Sequence, residues 1–317
     1  MIEVSSLAKE YGPIRALQGV SFSVSRGEVV GFLGPNGAGK TTCMKIITGF
    51  IAATSGTATV DGKDVVTDGV DVRRRIGYLP ENAPLYSDMT VSEYLAFVAG
   101  VRGVPKDAIA KRINDVAMTV GLLNVLGQEI GTLSKGYRQR AGLAQAMIHD
   151  PEILILDEPT SGLDPNQIVE IRELIRTIGK DRTVILSTHN LPEVTATCNR
   201  IIIIHRGRIV ADGTPDQIRG KHGGGNTFVV ELARRDGIDR APSVLAGLAA
   251  VRQVLPIERA EAPAGAAATA TFRIDAAGDA DVRADVFDAC VKSGWTLVEL
   301  KRERLDLESI FQRLTLA

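Results

Sequence analysis

Only three cysteines occur in the chain, Cys43, Cys198 and Cys290, and they lie too far apart to show any metal-ligand spacing. They read as small buried apolar residues in a reducing compartment. No sign of charge prevails either. Lys and Arg together number 37, Asp and Glu 38, and the net charge is −1. That balance argues against non-specific binding to nucleic acid or to an anionic membrane surface. Long apolar runs are missing. The stretch Ile201 to Ile204 falls far short of the roughly 20 residues that cross a bilayer. The N-terminal segment from Met1 to Lys9 lacks the basic region and apolar core of a signal peptide. No sustained heptad pattern occurs. The chain is therefore expected in the cytoplasm, with any membrane role supplied by a partner.

With 317 residues, 44% hydrophobic and 24% charged, there is enough chain for one large domain or two. From Met1 to about Arg219, β-branched runs alternate with helical patterns. Val29 to Leu33, Ile153 to Leu156 and Thr183 to Leu186 are continuous apolar runs, the pattern of strands buried on both faces of a parallel sheet. Ile201 to Ala211, with Gly207 at its centre, reads as a hairpin. Residues 220–226, rich in glycine, read as a flexible linker. Residues 227–317 then restart as a small α+β domain. Strands are expected at Thr227 to Leu232, Val251 to Ile257, Thr271 to Ile274 and Trp295 to Leu300. Helices are expected at Ser243 to Ala250, Asp281 to Val291 and Leu305 to Leu314, with an Ala/Gly/Pro-rich loop at Ala260 to Ala268. Up to Leu300 the β-α-β-β-α-β order is that of a ferredoxin-like split βαβ.

The strongest chemical signal is the run Gly34, Pro35, Asn36, Gly37, Ala38, Gly39, Lys40, Thr41, Thr42. It follows an expected strand and opens an expected helix, the context of a phosphate-binding P-loop. Glycines let the backbone wrap a phosphate, whose charge is attracted by successive N–H groups and the helix N-terminus. Lys40 would place a point charge on the β- and γ-phosphates, and the Thr41 hydroxyl would join a Mg²⁺ shell. The apolar strand from Ile153 ends in Asp157 and Glu158, where α/β sheets present ligand-binding groups. Asp157 suits a metal held through water, and Glu158 suits polarisation of an attacking water.

With these and further motifs the chain resembles the ABC ATPases. Leu133, Ser134, Lys135, Gly136 and Tyr137 are similar to the family's Leu-Ser-Gly-Gly-Gln signature, and Ser161 to Asp164 to its D-loop. His189 falls at the position of the switch histidine, and Tyr11 where an aromatic ring stacks on adenine. The resemblance implies a P-loop NTPase core with a helical signature subdomain. It implies ATP hydrolysis with Mg²⁺, with Glu158, His189 and Glu81 in catalytic roles. It also implies metal contacts at Thr41, Asp157 and Glu81. Ser134, Gly136 and Asp164 are implied to face the nucleotide of an opposite subunit, so a homodimer is expected.

Three departures stand out. Glu81 replaces a glutamine, and an ionised carboxylate only accepts hydrogen bonds. Lys135 replaces the signature's first glycine and Tyr137 its glutamine. This variant set is similar to ATPases of ABC-2-type exporters, of the gliding-motility and copper-processing group. An integral membrane permease is then the implied partner, docked near Asn82 to Glu93 with Tyr86 and Met89, on the inner face of the cell membrane. Nucleic acid is not expected. Two alternatives remain: a soluble ABC ATPase of translation or DNA repair, and a nucleotide-binding regulator without turnover.

Overall fold

The computed structural model describes residues 1–222, 226–233, 237–257, 269–278, 280–303 and 306–316. Two compact units divide the chain, Met1–Asp216 with Phe311–Ala317, and Gln217–Ile310.

The first unit holds two sheets. Strands β1 (Ile2–Tyr11), β2 (Ile14–Val24), β4 (Ser55–Val60) and β5 (Lys63–Asp64) form an antiparallel sheet in the order β2-β1-β4-β5. Strands β3 (Val29–Leu33), β6 (Ile76–Leu79), β7 (Ile153–Asp157), β8 (Thr183–Thr188), β9 (Arg200–His205) and β10 (Arg208–Gly213) form the other, in the order β10-β9-β3-β8-β7-β6. It is parallel except where β10 returns antiparallel to β9. Every residue of β3, β7 and β8 is buried, which is why these strands read as unbroken apolar runs rather than alternating ones. The hairpin between β9 and β10 turns on Arg206 and Gly207, both at positive φ (46° and 73°), as a two-residue turn matched to strand twist requires.

Helices α1 (Lys40–Ile47), α2 (Gly69–Arg75), α3 (Val91–Val101), α4 (Lys106–Val120), α5 (Lys135–Met147), α6 (Pro165–Ile178) and α7 (Leu191–Thr197) complete this unit. One core is shared by the antiparallel sheet, α1 and the parallel sheet. Val4, Phe22, Met44, Ile47, Phe32 and Ile155 all belong to it, with the Phe22 and Phe32 rings 5.5 Å apart. Burying a side chain such as Phe32 contributes about 1.5–3 kcal/mol. Helices α3, α4 and α5 pack on one another as a helical layer. Its start is fixed by a capping box at Thr90 and Glu93, which satisfies two otherwise orphaned N–H groups.

In the second unit, strands β11 (Asn226–Ala233), β12 (Val251–Ile257), β13 (Thr269–Ala276) and β14 (Leu297–Glu303) form an antiparallel sheet in the order β12-β13-β11-β14. Alternate residues Phe228, Val230 and Leu232 meet Phe272 and Ile274, under α9 (Ala241–Ala246) and α10 (Arg283–Lys292).

Several boundaries differ from the sequence expectation. Helix α8 (Pro215–His222) runs through Gly220, so the start of the expected linker is helical, while residues 223–225 lie outside the described residues. Pro at an early position is tolerated by a helix, and the pattern rule for Gly-rich linkers missed this start. Helix α9 begins two residues earlier than expected, with Pro242 in its first turn, and stops at Gly247 rather than running to Ala250. The expected loop Ala260 to Ala268 lies outside the described residues, as does Leu305. The last helix, α11, is Leu307–Leu316. Among the described residues no helix is long and apolar enough to cross a membrane.

Candidate functional site

The loop from Gly34 to Gly39 leaves the end of β3 and feeds α1 at Lys40. Two of its glycines are forced by close backbone approach. A Cβ on Gly34 would stand 2.4 Å from the Ile204 carbonyl oxygen, and one on Gly39 2.6 Å from the Ala16 oxygen. Gly39 also holds φ at 109°, a conformation that other residues rarely adopt. Lys40 is buried, and its Nζ donates to the carbonyls of Gly34 (2.8 Å) and Pro35 (3.3 Å).

Strand order assembles the rest. Because β8 lies between β3 and β7, the ends of three strands bring Lys40, Asp157, Ser187 and His189 to one edge. Thr41 Oγ1 donates to Asp157 Oδ1 at 3.1 Å, and the Ser187 hydroxyl donates to the same oxygen. Glu158 follows at φ 50°, a left-handed conformation costing a non-glycine residue about 1–2 kcal/mol. Its N–H donates to the Ser187 carbonyl (3.0 Å) and lies 3.2 Å from Ser187 Oγ. Its carboxylate is bracketed by two bases. Oε1 lies 3.3 Å from Lys40 Nζ as an ion pair without hydrogen-bonding alignment, and Oε2 lies 2.9 Å from His189 Nδ1.

A cleft of about 560 Å³ opens above these groups, lined by Tyr11, Ala16, Glu81, Glu158, Ser161, His189 and the loop from Asn36 to Thr42. Tyr11, Glu81, Glu158, His189 and most of the P-loop are thus brought together. Gly34 and Pro35 act from beneath, through Lys40. Asp157 likewise does not line the cleft and acts through Thr41, and three further expected site residues lie outside it. Ser134 caps α5 by accepting from the Tyr137 N–H, Asp164 caps α6 by accepting from the Gln167 N–H, and Gly136 packs under the Gln167 side chain. Lys135 Nζ reaches Gly162, where an added Cβ would meet it at 1.8 Å. Tyr86, expected at a partner surface, is half exposed and packs edge-on to Tyr94 with ring centroids 5.9 Å apart.

Sequence reasoning missed four contributors. Ser187, one residue past the apolar run Thr183 to Leu186, carries no motif of its own. Ala16 and Ser161 were not singled out as cleft residues. Glu193 is buried and accepts from Thr160 Oγ1 (2.8 Å) and Thr188 Oγ1 (2.9 Å), tying the segments that carry Ser161 and His189. Only its place four residues after His189 could have hinted at this. Tyr78, below Asp157, has its phenol pushed up by burial and then by the Asp157 charge.

The oxygen donors fit a hard divalent cation. Asp157 Oδ2 is buried and has no hydrogen-bond partner, beside the Thr41 hydroxyl held on Oδ1. Among the described residues no group of three or more His, Cys, Asp or Glu forms a closed metal cage. A cation here would fill its shell with phosphate oxygens and water, as Mg²⁺ does.

A glycine loop on a helix N-terminus, a strand-end Asp-Glu pair and a histidine just past the neighbouring strand define a P-loop ATPase of the ABC type. The ABC transporter family model matches residues 17–161. The chain is 38% identical over 219 residues to the uncharacterized ABC transporter ATP-binding protein YxlF of Bacillus subtilis, covering 69% of this chain and 72% of YxlF. It is 36% identical over 224 residues to the bacitracin transport ATP-binding protein BcrA of Bacillus licheniformis, covering 70% and 72%. Its fold superposes on the dimeric structure of MJ0796, a bacterial ABC transporter cassette, with a TM-score of 0.62 and 25% identity, over 68% of this chain and 98% of that one. The chain belongs to the ABC transporter family, as an ATP-binding subunit with the family's ATPase fold.

Proposed function

We propose that this subunit powers an ABC-2-type exporter by ATP-driven closure of two copies beneath an integral membrane permease, on the cytoplasmic face of the cell membrane. The observation that carries the reading is the placement of Lys40 and His189 on the two oxygens of the Glu158 carboxylate at the wall of the P-loop cleft. The likeness to BcrA, named for bacitracin transport, supports a role in transport.

The P-loop amides and Lys40 bind and orient the phosphates, and Tyr11 offers its exposed ring to the adenine. Mg²⁺, held by Thr41 and Asp157 with Glu81 near, would neutralise charge on the β- and γ-phosphates. Arrival of the γ-phosphate competes with Glu158 for Lys40 and His189, because the phosphate offers the Lys40 ammonium a greater negative charge and the His189 ring a second hydrogen-bond partner. The freed Glu158 then polarises the attacking water, while His189 holds the phosphate side. Ser134, Gly136 and Asp164 stand at two helix N-termini outside their own chain's cleft, so they are available to a second copy's nucleotide. The likeness to MJ0796, a cassette with a dimeric structure, supports the pairing of two copies. The second unit is read as a ferredoxin-like accessory domain, supported by its β12-β13-β11-β14 order.

The test is recovery of tagged Glu158→Gln protein from native membranes in mild detergent with ATP. A polytopic protein with several apolar spans of ~20 residues is the expected partner. Recovery of ribosomes or DNA instead would overturn the reading.

A further inference from the structure

Around the P-loop, three backbone segments distant in sequence approach within van der Waals limits. A Cβ on Gly207 would meet the Ala16 oxygen at 2.7 Å, and a Cβ on Gly39 would meet that same oxygen at 2.6 Å. The turn of the β9–β10 hairpin, the part of β2 at Ala16 to Gln18 and the P-loop therefore form one cluster. Hydrogen bonds lock it. The Gly207 N–H donates to the Ala38 carbonyl at 2.9 Å, and the Gln18 N–H donates to the Gly207 carbonyl at 2.8 Å. The Gln18 side chain holds the turn from both ends. Its Nε2 donates to the Arg206 carbonyl at 2.8 Å, and its Oε1 accepts from Arg208 Nη2 at 3.1 Å and Nε at 3.3 Å.

We infer that Gln18 and Gly207 are positioning residues that orient the Ala38–Gly39 peptide of the P-loop for phosphate binding. The peptide is planar and trans, so its C=O and the following N–H point to opposite sides. With the Ala38 carbonyl drawn to Gly207, the Gly39 N–H is turned away from the hairpin, toward the cleft that Gly39 lines. An amide held in this way contributes to phosphate binding without paying for reorientation on each cycle. Only a turn with a buried N–H can supply the anchor. Gly207, at φ 73° and against the Ala16 backbone, admits no side chain. Gln18 suits its task because one amide both donates and accepts. The same strand carries Ala16, which lines the cleft, two residues earlier.

This inference rests on the cleft being the nucleotide site, and the test separates the two. Equilibrium binding of ATP and of inorganic tripolyphosphate, which lacks base and ribose, is measured on the full chain beside steady-state ATPase and the thermal midpoint. Gln18→Ala is expected to weaken both probes by the same factor, about 5- to 10-fold. The KM should rise by a similar factor while kcat stays within about twofold. Gln18→Glu keeps the acceptor for Arg208 and loses only the donor to Arg206, so it should recover part of the affinity. It also serves as the readout if Gln18→Ala fails to fold. A fall in thermal midpoint with unchanged affinities would show a merely structural role and overturn the inference. Weakening of ATP with unchanged tripolyphosphate would overturn it too, by placing the effect at the base. Failure of the wild-type chain to bind either probe would sink the nucleotide reading itself, and the brace with it.

Discussion

His189 Nδ1 lies 2.9 Å from Glu158 Oε2, while Lys40 Nζ stands 3.3 Å from the other oxygen of that carboxylate. The residue suited to activating water is thus engaged by the two groups suited to holding phosphate. Glu158→Gln removes the basic carboxylate and leaves the P-loop intact. Phosphate release is expected to fall by about 100- to 1,000-fold, while equilibrium ATP binding holds or tightens. Hydrolysis at the normal rate would remove Glu158 from its role.

Asp157 presents one buried oxygen without a partner, beside the Thr41 hydroxyl. Asp157→Asn and Thr41→Val each take a hard oxygen ligand from that corner. Titration of ATP binding with Mg²⁺ should show half-saturation shifted to roughly 10- to 100-fold higher metal. Unchanged metal dependence in both variants would place the cation elsewhere.

Two glycines outside the site test packing from opposite directions. A Cβ on Gly77 would meet the Ala146 carbonyl oxygen at 2.1 Å, a backbone atom that cannot rotate aside. Gly77→Ala should cost about 2–3 kcal/mol in urea unfolding. Gly100 is exposed near the end of α3, with nothing within 4 Å of an added Cβ. There Gly100→Ala should stabilise by about 0.5 kcal/mol. Equal effects from the two would refute the packing read at Gly77.

His149 offers a pH test of stability. Burial, then the nearby Arg102 charge, lowers its pKa from 6.5 to about 4, outweighing the Ile76 carbonyl that its Nε2 meets at 3.2 Å. The folded state therefore binds this proton less readily than the unfolded chain. The stability that the neutral ring contributes is whole above pH 6.5 and is lost as pH falls from there through about 4. The loss amounts to roughly 1–2 kcal/mol once discounted for partial exposure. His149→Gln should flatten the fall in urea midpoint between neutral and pH 4.5 relative to wild type, and an identical profile would refute the assignment.

Some of this was legible from residues alone. The P-loop is encoded locally, by glycines where backbone or φ leaves no room and by an apolar strand before them. The all-buried strands β3, β7 and β8 announced themselves as apolar runs, because burial on both faces leaves no polar alternation. The helical start of the expected linker escaped because α8 continues through Gly220, where composition alone indicated a break.

The amino-acid sequence by itself determined the local chemistry: a phosphate loop, two carboxylates at a strand end and a histidine after another strand. Only the tertiary structure decided which of these meet. Placing β8 between β3 and β7 puts Ser187 on Asp157 and His189 on Glu158. The hairpin turn reaches the P-loop from far along the chain, joining Gly207 to Ala38 and Gln18 to Arg206. The physical reason is range. Turns, caps and strands answer to neighbours a few residues away, whereas strand adjacency is settled by burying every apolar face at once, and no local pattern records that outcome.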